Sequence, residues 1–379
     1  SQVVNAPVAG NYSVSVTTDE SDVFFEFNVD GHLAAEQNNT TQGIFDATID
    51  LSIDNLVVLP ASPQSGDELT IQWETTNNGN LASTNSFYDR LVVTNTTTDA
   101  TLLAADVYYN QTASGNGPIS GGDSRARQYS FTLPDGLAGA GDLKVSVTTD
   151  YFENQPEYVA SSTAELNNTT ELDFASSVAP YSDLQVGSLA VTPASNVSSG
   201  STLNVSWEIE NTGDAPTSGS FYERIAIVNT TTGSTLRTAN LLYRESDSGN
   251  GAIGVGQSRP RQYEFTLPDG NTGAGDIEVT VTTDYFQDIF EYNDAGTGES
   301  NNSSQLAFVS ALAAYPDLVV SDIEVTDTAT AGQPLQITWT VTNQGGAAAG
   351  SLTDLIYLSD DGVIGDDILL GRSAFDGSI

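Results

Sequence analysis

Leu69-Thr70-Ile71-Gln72-Trp73-Glu74 alternates apolar and polar residues at every step. Leu203-Asn204-Val205-Ser206-Trp207-Glu208-Ile209 and Leu335-Gln336-Ile337-Thr338-Trp339-Thr340-Val341 do the same. A period of two places one side of the chain on a core and the other in water, as in antiparallel strands. The pattern continues at Tyr129, Phe131 and Leu133, at Leu143, Val145 and Val147, and in their copies at 263–267 and 277–281. No window shows a helical stripe. Turn signals such as Pro134-Asp135-Gly136, Asn78-Gly79 and Thr212-Gly213 separate the runs. Several short strands with one central Trp describe a two-sheet β-sandwich. Each Trp is expected to fill the middle of a core, where truncation to Ala costs about 3–5 kcal/mol.

Working outward, the same features return roughly every 134 residues, a domain-sized repeat rather than a solenoid unit. Asp50-Leu51, Asp183-Leu184 and Asp317-Leu318 open similar runs, and Val-Thr-Thr-Asp ends at Asp19, Asp150 and Asp284. The register predicts four pieces: 1–49 as the back part of one repeat, 50–182 and 183–316 as complete repeats, and 317–379 as the front part of another. Ala179-Pro180-Tyr181-Ser182 and Ala313-Ala314-Tyr315-Pro316 are short, Pro- and Tyr-bearing linkers, which predict a fairly rigid, extended string.

The formal charge is −40, with one lysine, Lys144, and a single histidine, His32. Such a chain has no basic face for nucleic acid or for anionic membranes. No stretch is long and apolar enough for a spanning helix. The absence of cysteine removes disulfides, thiolate zinc sites and thiol catalysis. One histidine cannot build a His-based triad or a two-His zinc site. Gly249-Asn250-Gly251-Ala252-Ile253-Gly254 matches a dinucleotide-binding glycine pattern in form, but it falls in a loop of an all-β repeat without the required strand–turn–helix context. Arg125 with Arg127, and Arg259 with Arg261, are expected to pair with acids of the same sandwich. Sequons at Asn95 and Asn229 mark candidate glycosylation.

One constellation carries chemistry. Asp150, Glu157 and Asn167 recur as Asp284, Glu291 and Asn301, and in the leading piece as Asp19, Glu26 and Asn38. Asp and Glu stand seven residues apart in all three copies. Strand-end Asp, loop Glu and returning Asn supply the oxygen-only ligand mix that Ca²⁺ takes, so these residues are the expected calcium ligands. The alternative is a polar hairpin in which Asp and Asn cap turns and Glu is solvated. A second acidic loop, around Asp361 and Asp366, is a further calcium candidate without counterpart in the other repeats.

The last repeat resembles a known family. Asp317-Leu-Val-Val-Ser-Asp-Ile-Glu-Val325, then Ala331-Gly-Gln-Pro-Leu-Gln-Ile-Thr-Trp339-Thr-Val-Thr-Asn343-Gln-Gly345, then Asp354-Leu-Ile-Tyr357-Leu-Ser-Asp-Asp361-Gly is similar to CARDB, the cell-adhesion-related domain found in bacteria. The family's far end is similar too, at Asp150, Glu157, Asn167 and Asn168 and at Asp284, Glu291, Asn301 and Asn302. The resemblance implies an all-β fold of tandem immunoglobulin-like β-sandwich domains in a bacterial surface or extracellular protein. It implies no catalytic residue and makes calcium binding more consistent with the pattern. The expected function is a non-catalytic structural or adhesive segment, whose partners are neighbouring repeats or copies of itself. Two alternatives stay open: a filament subunit joined by strand complementation, and a carbohydrate-binding or accessory module of a secreted hydrolase. The last needs an exposed aromatic platform. Tyr151-Phe152 and Tyr285-Phe286 are the repeated candidates, with at least one ring of each pair expected to be buried.

Overall fold

The computed structural model describes all residues apart from 5–7, 162, 327–329, 331, 361, 364 and 366. Two compact units, Ser1–Pro180 and Tyr181–Ile379, divide the chain. The first opens with β1 (Gly10–Thr17), a short helix α1 (His32–Gln37) and β2 (Thr40–Ala47). Seven strands follow: β3 (Leu51–Leu59), β4 (Glu68–Asn77), β5 (Phe87–Asn95), β6 (Ala100–Tyr109), β7 (Ser124–Thr132), β8 (Gly141–Thr148) and β9 (Thr169–Ser176). They form two antiparallel sheets, β3-β4-β7 and β6-β5-β8-β9. This is an immunoglobulin-like sandwich: inward residues of both sheets share one core, as the alternation requires. The one-turn helix α1 departs from the all-strand expectation. At six residues it is too short to show a hydrophobic stripe, and a single buried residue, Ala35, anchors it.

The second unit repeats the plan with β10 (Leu184–Thr192), β11 (Thr202–Asn211), β12 (Phe221–Asn229), β13 (Ser234–Tyr243), β14 (Ser258–Thr266), β15 (Gly275–Thr282) and β16 (Ser303–Ser310). The sheets are β10-β11-β14 and β13-β12-β15-β16. Two hairpins complete it, β17 (Leu318–Val325) with β18 (Ile337–Asn343), and β19 (Leu352–Leu358) with β20 (Ile368–Phe375). The opening strand of each repeat carries a bulge at the same place, with Asn55, Ser188 and Asp322 in left-handed backbone.

Trp73 and Trp207 are almost fully buried among the aliphatic side chains of both sheets. Each indole N–H donates to a buried acid, Trp73 to Asp89 at 3.0 Å and Trp207 to Glu223 at 2.6 Å. The acid in turn faces an arginine from the neighbouring sheet, Arg127 at 3.5 Å and Arg261 at 2.5 Å. The expected pairing of arginines with acids therefore holds for Arg127 and Arg261. Arg125 and Arg259 instead donate to loop carbonyls, those of Asn116 and Asn250 among them.

The turn after β4, β11 and β18 presses on the segment that leads into its own repeat. A Cβ on Gly79 would lie 2.2 Å from the carbonyl oxygen of Thr48, one on Gly213 2.5 Å from that of Tyr181, and one on Gly345 2.3 Å from that of Tyr315. Only glycine allows this approach. It holds the incoming segment against the turn.

Candidate functional site

The loop after β8 and β15 begins with a residue in left-handed backbone, Asp150 (φ 44°) and Asp284 (φ 40°), matched by Asp19 (φ 48°) after β1. In each copy both carboxylate oxygens are taken by the loop's own backbone. Asp150 accepts the N–H groups of Asn154 and Gln155, Asp284 those of Asp288 and Ile289, and Asp19 those of Val23 and Phe24, at 2.8–3.0 Å. The three aspartates shape the loop. Each of these oxygens accepts a single N–H and keeps a second lone pair.

Glu157 and Glu291 behave differently. Each reaches the start of its repeat. Glu157 Oε2 accepts the Leu51 N–H at 2.8 Å, and Glu291 Oε1 accepts the Leu184 N–H at 3.1 Å. A second glutamate lies against each. Glu299 Oε1 accepts the Glu291 N–H at 2.7 Å, and Asn168 Nδ2 lies 3.4 Å from Glu157 Oε1 and 3.2 Å from Glu165 Oε2. Glu36 stands in the same relation to Glu26, whose N–H it accepts at 3.3 Å. The returning asparagines close the site from the other side. Asn167 donates to Asp50 Oδ1 at 3.0 Å, and Asn301 to Asp183 Oδ1 at 2.9 Å. Asn38 is exposed.

Sequence reasoning missed Glu36, Glu165 and Glu299. Their signal is Glu-x-Asn-Asn, at Glu36-Gln37-Asn38-Asn39, Glu165-Leu166-Asn167-Asn168 and Glu299-Ser300-Asn301-Asn302. It also left out Asp50 and Asp183, which open each repeat and bind the asparagines that end it. Asp361 and Asp366 lie outside the described residues.

Burial, joined by the charges of the neighbouring acids, pushes Glu157 and Glu291 up to about 9. Asp150 and Asp284 rise to about 6, again chiefly through burial. Asp183 goes the other way: burial opposes it, but hydrogen bonds from Asn301, Asn293, Thr212 and Gln185 outweigh that and hold it below the usual range. Several buried oxygens at the second site have no hydrogen-bond partner, namely Glu291 Oε2, Glu299 Oε2, Asn301 Oδ1 and Asn302 Oδ1; Asn168 Oδ1 is the counterpart at the first. Buried acceptors are normally satisfied. An oxygen-rich, nitrogen- and sulfur-free set of this kind fits a hard cation such as Ca²⁺. Among the described residues, no three or more His, Cys, Asp or Glu side chains are grouped to hold a metal ion. The acids come in pairs, so amide oxygens would have to complete any shell.

Two further expectations change. Both rings of each aromatic pair are substantially exposed, Tyr151 and Phe152 in one repeat and Tyr285 and Phe286 in the other, because they lie in the loop beyond the strand where alternation no longer applies. The sequons at Asn95 and Asn229 sit on fully buried side chains that donate to Ala140 and Ala274 carbonyls, so a folded repeat does not present them.

A family model for CARDB matches residues 315–373. No curated protein matches the chain. Among solved structures, the chain is similar to the CARDB domain of a Pyrococcus furiosus protein in complex with di-metal ions (15% identity, 35% of this chain and 96% of that one, TM-score 0.25). It is also similar to red sea bream transglutaminase (11%, 69% and 31%, 0.24) and to Escherichia coli alpha-2-macroglobulin activated by porcine elastase (11%, 84% and 26%, 0.19). At scores this low the likenesses say nothing about function. The chain is a tandem array of immunoglobulin-like repeats, and residues 315–373, which span most of the last one, match the CARDB family model.

Proposed function

We propose that this chain is a non-catalytic structural or adhesive segment of an extracellular or cell-surface protein, stiffened by calcium at the end of each repeat. One observation carries the reading. Glu291, Glu299, Asn301 and Asn302 bring unpartnered buried oxygens together beside the Leu184 N–H, where the repeat begins. Glu157, Glu165 and Asn168 stand at the same places beside Leu51, where Asn168 Oδ1 is the unpartnered oxygen. A bound divalent cation supplies the positive charge that the paired carboxylates, of which Glu291 is buried and Glu157 and Glu299 are half-buried, lack. It also ties the closing loop to the opening strand, so it stabilises the repeat and the junction before it together. At free calcium about 100-fold above the dissociation constant, each site adds roughly 2.7 kcal/mol. The partners are neighbouring repeats or other copies of the chain.

The test is the melting temperature of the full chain with excess calcium and with chelator. The reading expects a rise of many degrees with calcium, greatly reduced in a Glu157→Gln, Glu291→Gln double variant. Equal melting in both conditions would leave a sandwich spacer with protonated carboxyl pairs and remove calcium from the account.

A further inference from the structure

The outward face of β13-β12-β15-β16 is unusual for a chain of charge −40. Arg224 on β12 lies between Asn240 on β13 and Thr282 on β15, and Thr282 faces Ser303 on β16. The next row on the same face reads Thr238, Ala226, Thr280 and Gln305. These two rows contain hydroxyls, amides and one guanidinium, and no carboxylate; Glu278 enters only in the row beyond. The equivalent rows of the first repeat read Asp106, Arg90, Thr148 and Thr169, then Ala104, Val92, Ser146 and Glu171.

The difference falls on the arginine. Arg90 is neutralised by Asp106 through two hydrogen bonds of 2.8 and 2.9 Å. Arg224 has an amide in that place. Its Nε donates to Asn240 Oδ1 at 2.8 Å, its Nη1 donates to the Tyr285 hydroxyl, and among the described residues it makes no ion pair. Its guanidinium stacks 3.6 Å from the centroid of the Tyr285 ring, and among the described residues Nη2 makes no hydrogen bond and meets no carboxylate within 4 Å. Beside it, Phe286 is half exposed and packs edge-on against Tyr222 and Tyr285, at 5.6 and 5.1 Å between centroids.

We propose that this face of the second repeat binds a carboxylate-bearing sugar, a uronic acid within a glycan. The carboxylate takes the free edge of Arg224, a charge-assisted contact that a fixed planar guanidinium makes well. The apolar face of the pyranose ring covers Phe286 and Tyr222. The sugar hydroxyls meet Gln305, the Nδ2 of Asn240, whose Oδ1 is held by Arg224, and the Thr282–Ser303 hydroxyl pair, which is bonded at 2.6 Å and keeps one O–H and spare lone pairs for a polyol. An acidic peptide would use the arginine alone and leave those rows idle. The chain's net negative charge does not forbid an anion here, because charges beyond a Debye length of ~10 Å are screened at 0.1 M salt and the nearest rows carry none. The inference does not depend on the calcium sites.

The experiment is calorimetric titration of the full chain with oligogalacturonate in 0.1 M salt, with chelator present so that no cation bridges two carboxylates. Saturable binding is expected, weakened about tenfold by Arg224→Gln, the loss of one charge-assisted hydrogen bond. Asn240→Asp, which recreates the pairing of the first repeat, is expected to weaken it as much while leaving the melting temperature unchanged. Phe286→Ala reduces it as well. The methyl-esterified oligomer, which has the sugar but not the charge, is expected to bind about tenfold more weakly, as Arg224→Gln does. Absence of binding by oligogalacturonate, equal binding of the ester or of polyglutamate, or affinity untouched by both Arg224→Gln and Asn240→Asp would each overturn the proposal.

Discussion

Asn301 Nδ2 donates to Asp183 Oδ1 at 2.9 Å, joining residues 118 apart in the chain. Asp183 is buried and holds Asn293, Thr212 and Gln185 as well. Asp183→Ala therefore strands several donors at once. The expected loss is about 1–3 kcal/mol, read as a lower urea midpoint of the second unit. Asp50, which is more exposed and holds Asn167, should cost less when changed in the same way.

The buried glutamates set a pH dependence of unusual sign. Glu157 and Glu291 titrate at about 9 when folded, against an ordinary value near 4.5. Between those limits the folded chain holds protons that the unfolded chain has released. The stability they contribute is complete below about 4.5 and is lost as pH rises towards 9. Melting in chelator is thus expected to fall steadily from pH 5 to pH 9. The Glu157→Gln, Glu291→Gln double variant should flatten that slope; an unchanged slope would place its origin elsewhere.

The arginine–acid pairs in the two cores are a matter of compensation rather than of strength. Arg127 is buried against Asp89, whose carboxyl is raised by burial despite the arginine, and against the indole of Trp73. Arg127→Gln leaves a buried carboxyl without its cation and is expected to destabilise by about 3–5 kcal/mol. Adding Asp89→Asn should recover a large part of that loss. A double-mutant cycle by chemical denaturation measures the coupling.

Tyr315 anchors the linker between the second and last repeats. Its hydroxyl lies 2.8 Å from Ser199 Oγ, accepts the Gly270 N–H at 2.8 Å and sits 3.2 Å from Asp269 Oδ1. Tyr315→Phe keeps the ring and removes these bonds. Faster amide exchange and faster proteolysis are expected around residues 311–317, with the cores of 184–310 unaffected. Uniform exchange across both would show that the hydroxyl does not act on the linker.

Much of this was legible in the chain. Strand alternation depends only on which side of the backbone faces a core, so Leu69, Ile71 and Trp73 could be placed inward without knowing what they meet. The repeat register singled out Glu157 and Glu291 because their spacing is constant. The aspartates at the same constant spacing have a local role that the spacing did not reveal, since an Asp in left-handed backbone binds the N–H groups of its own loop. The aromatic pairs misled because they sit one step past the strand, where the period of two stops.

The sequence by itself determined the repeat, the strands, the inward tryptophans and the acidic, cysteine-free chemistry, all of which follow from local pattern and composition. Only the tertiary structure decided which oxygens meet. Leu51 and Asp50 come to Glu157 and Asn167 from more than a hundred residues away, and the Glu165 carboxylate accepts from the Glu157 backbone across a loop. No local periodicity encodes a contact made by closing a sandwich on itself, because the partner's position is fixed by the packing of two sheets and not by the spacing along either one.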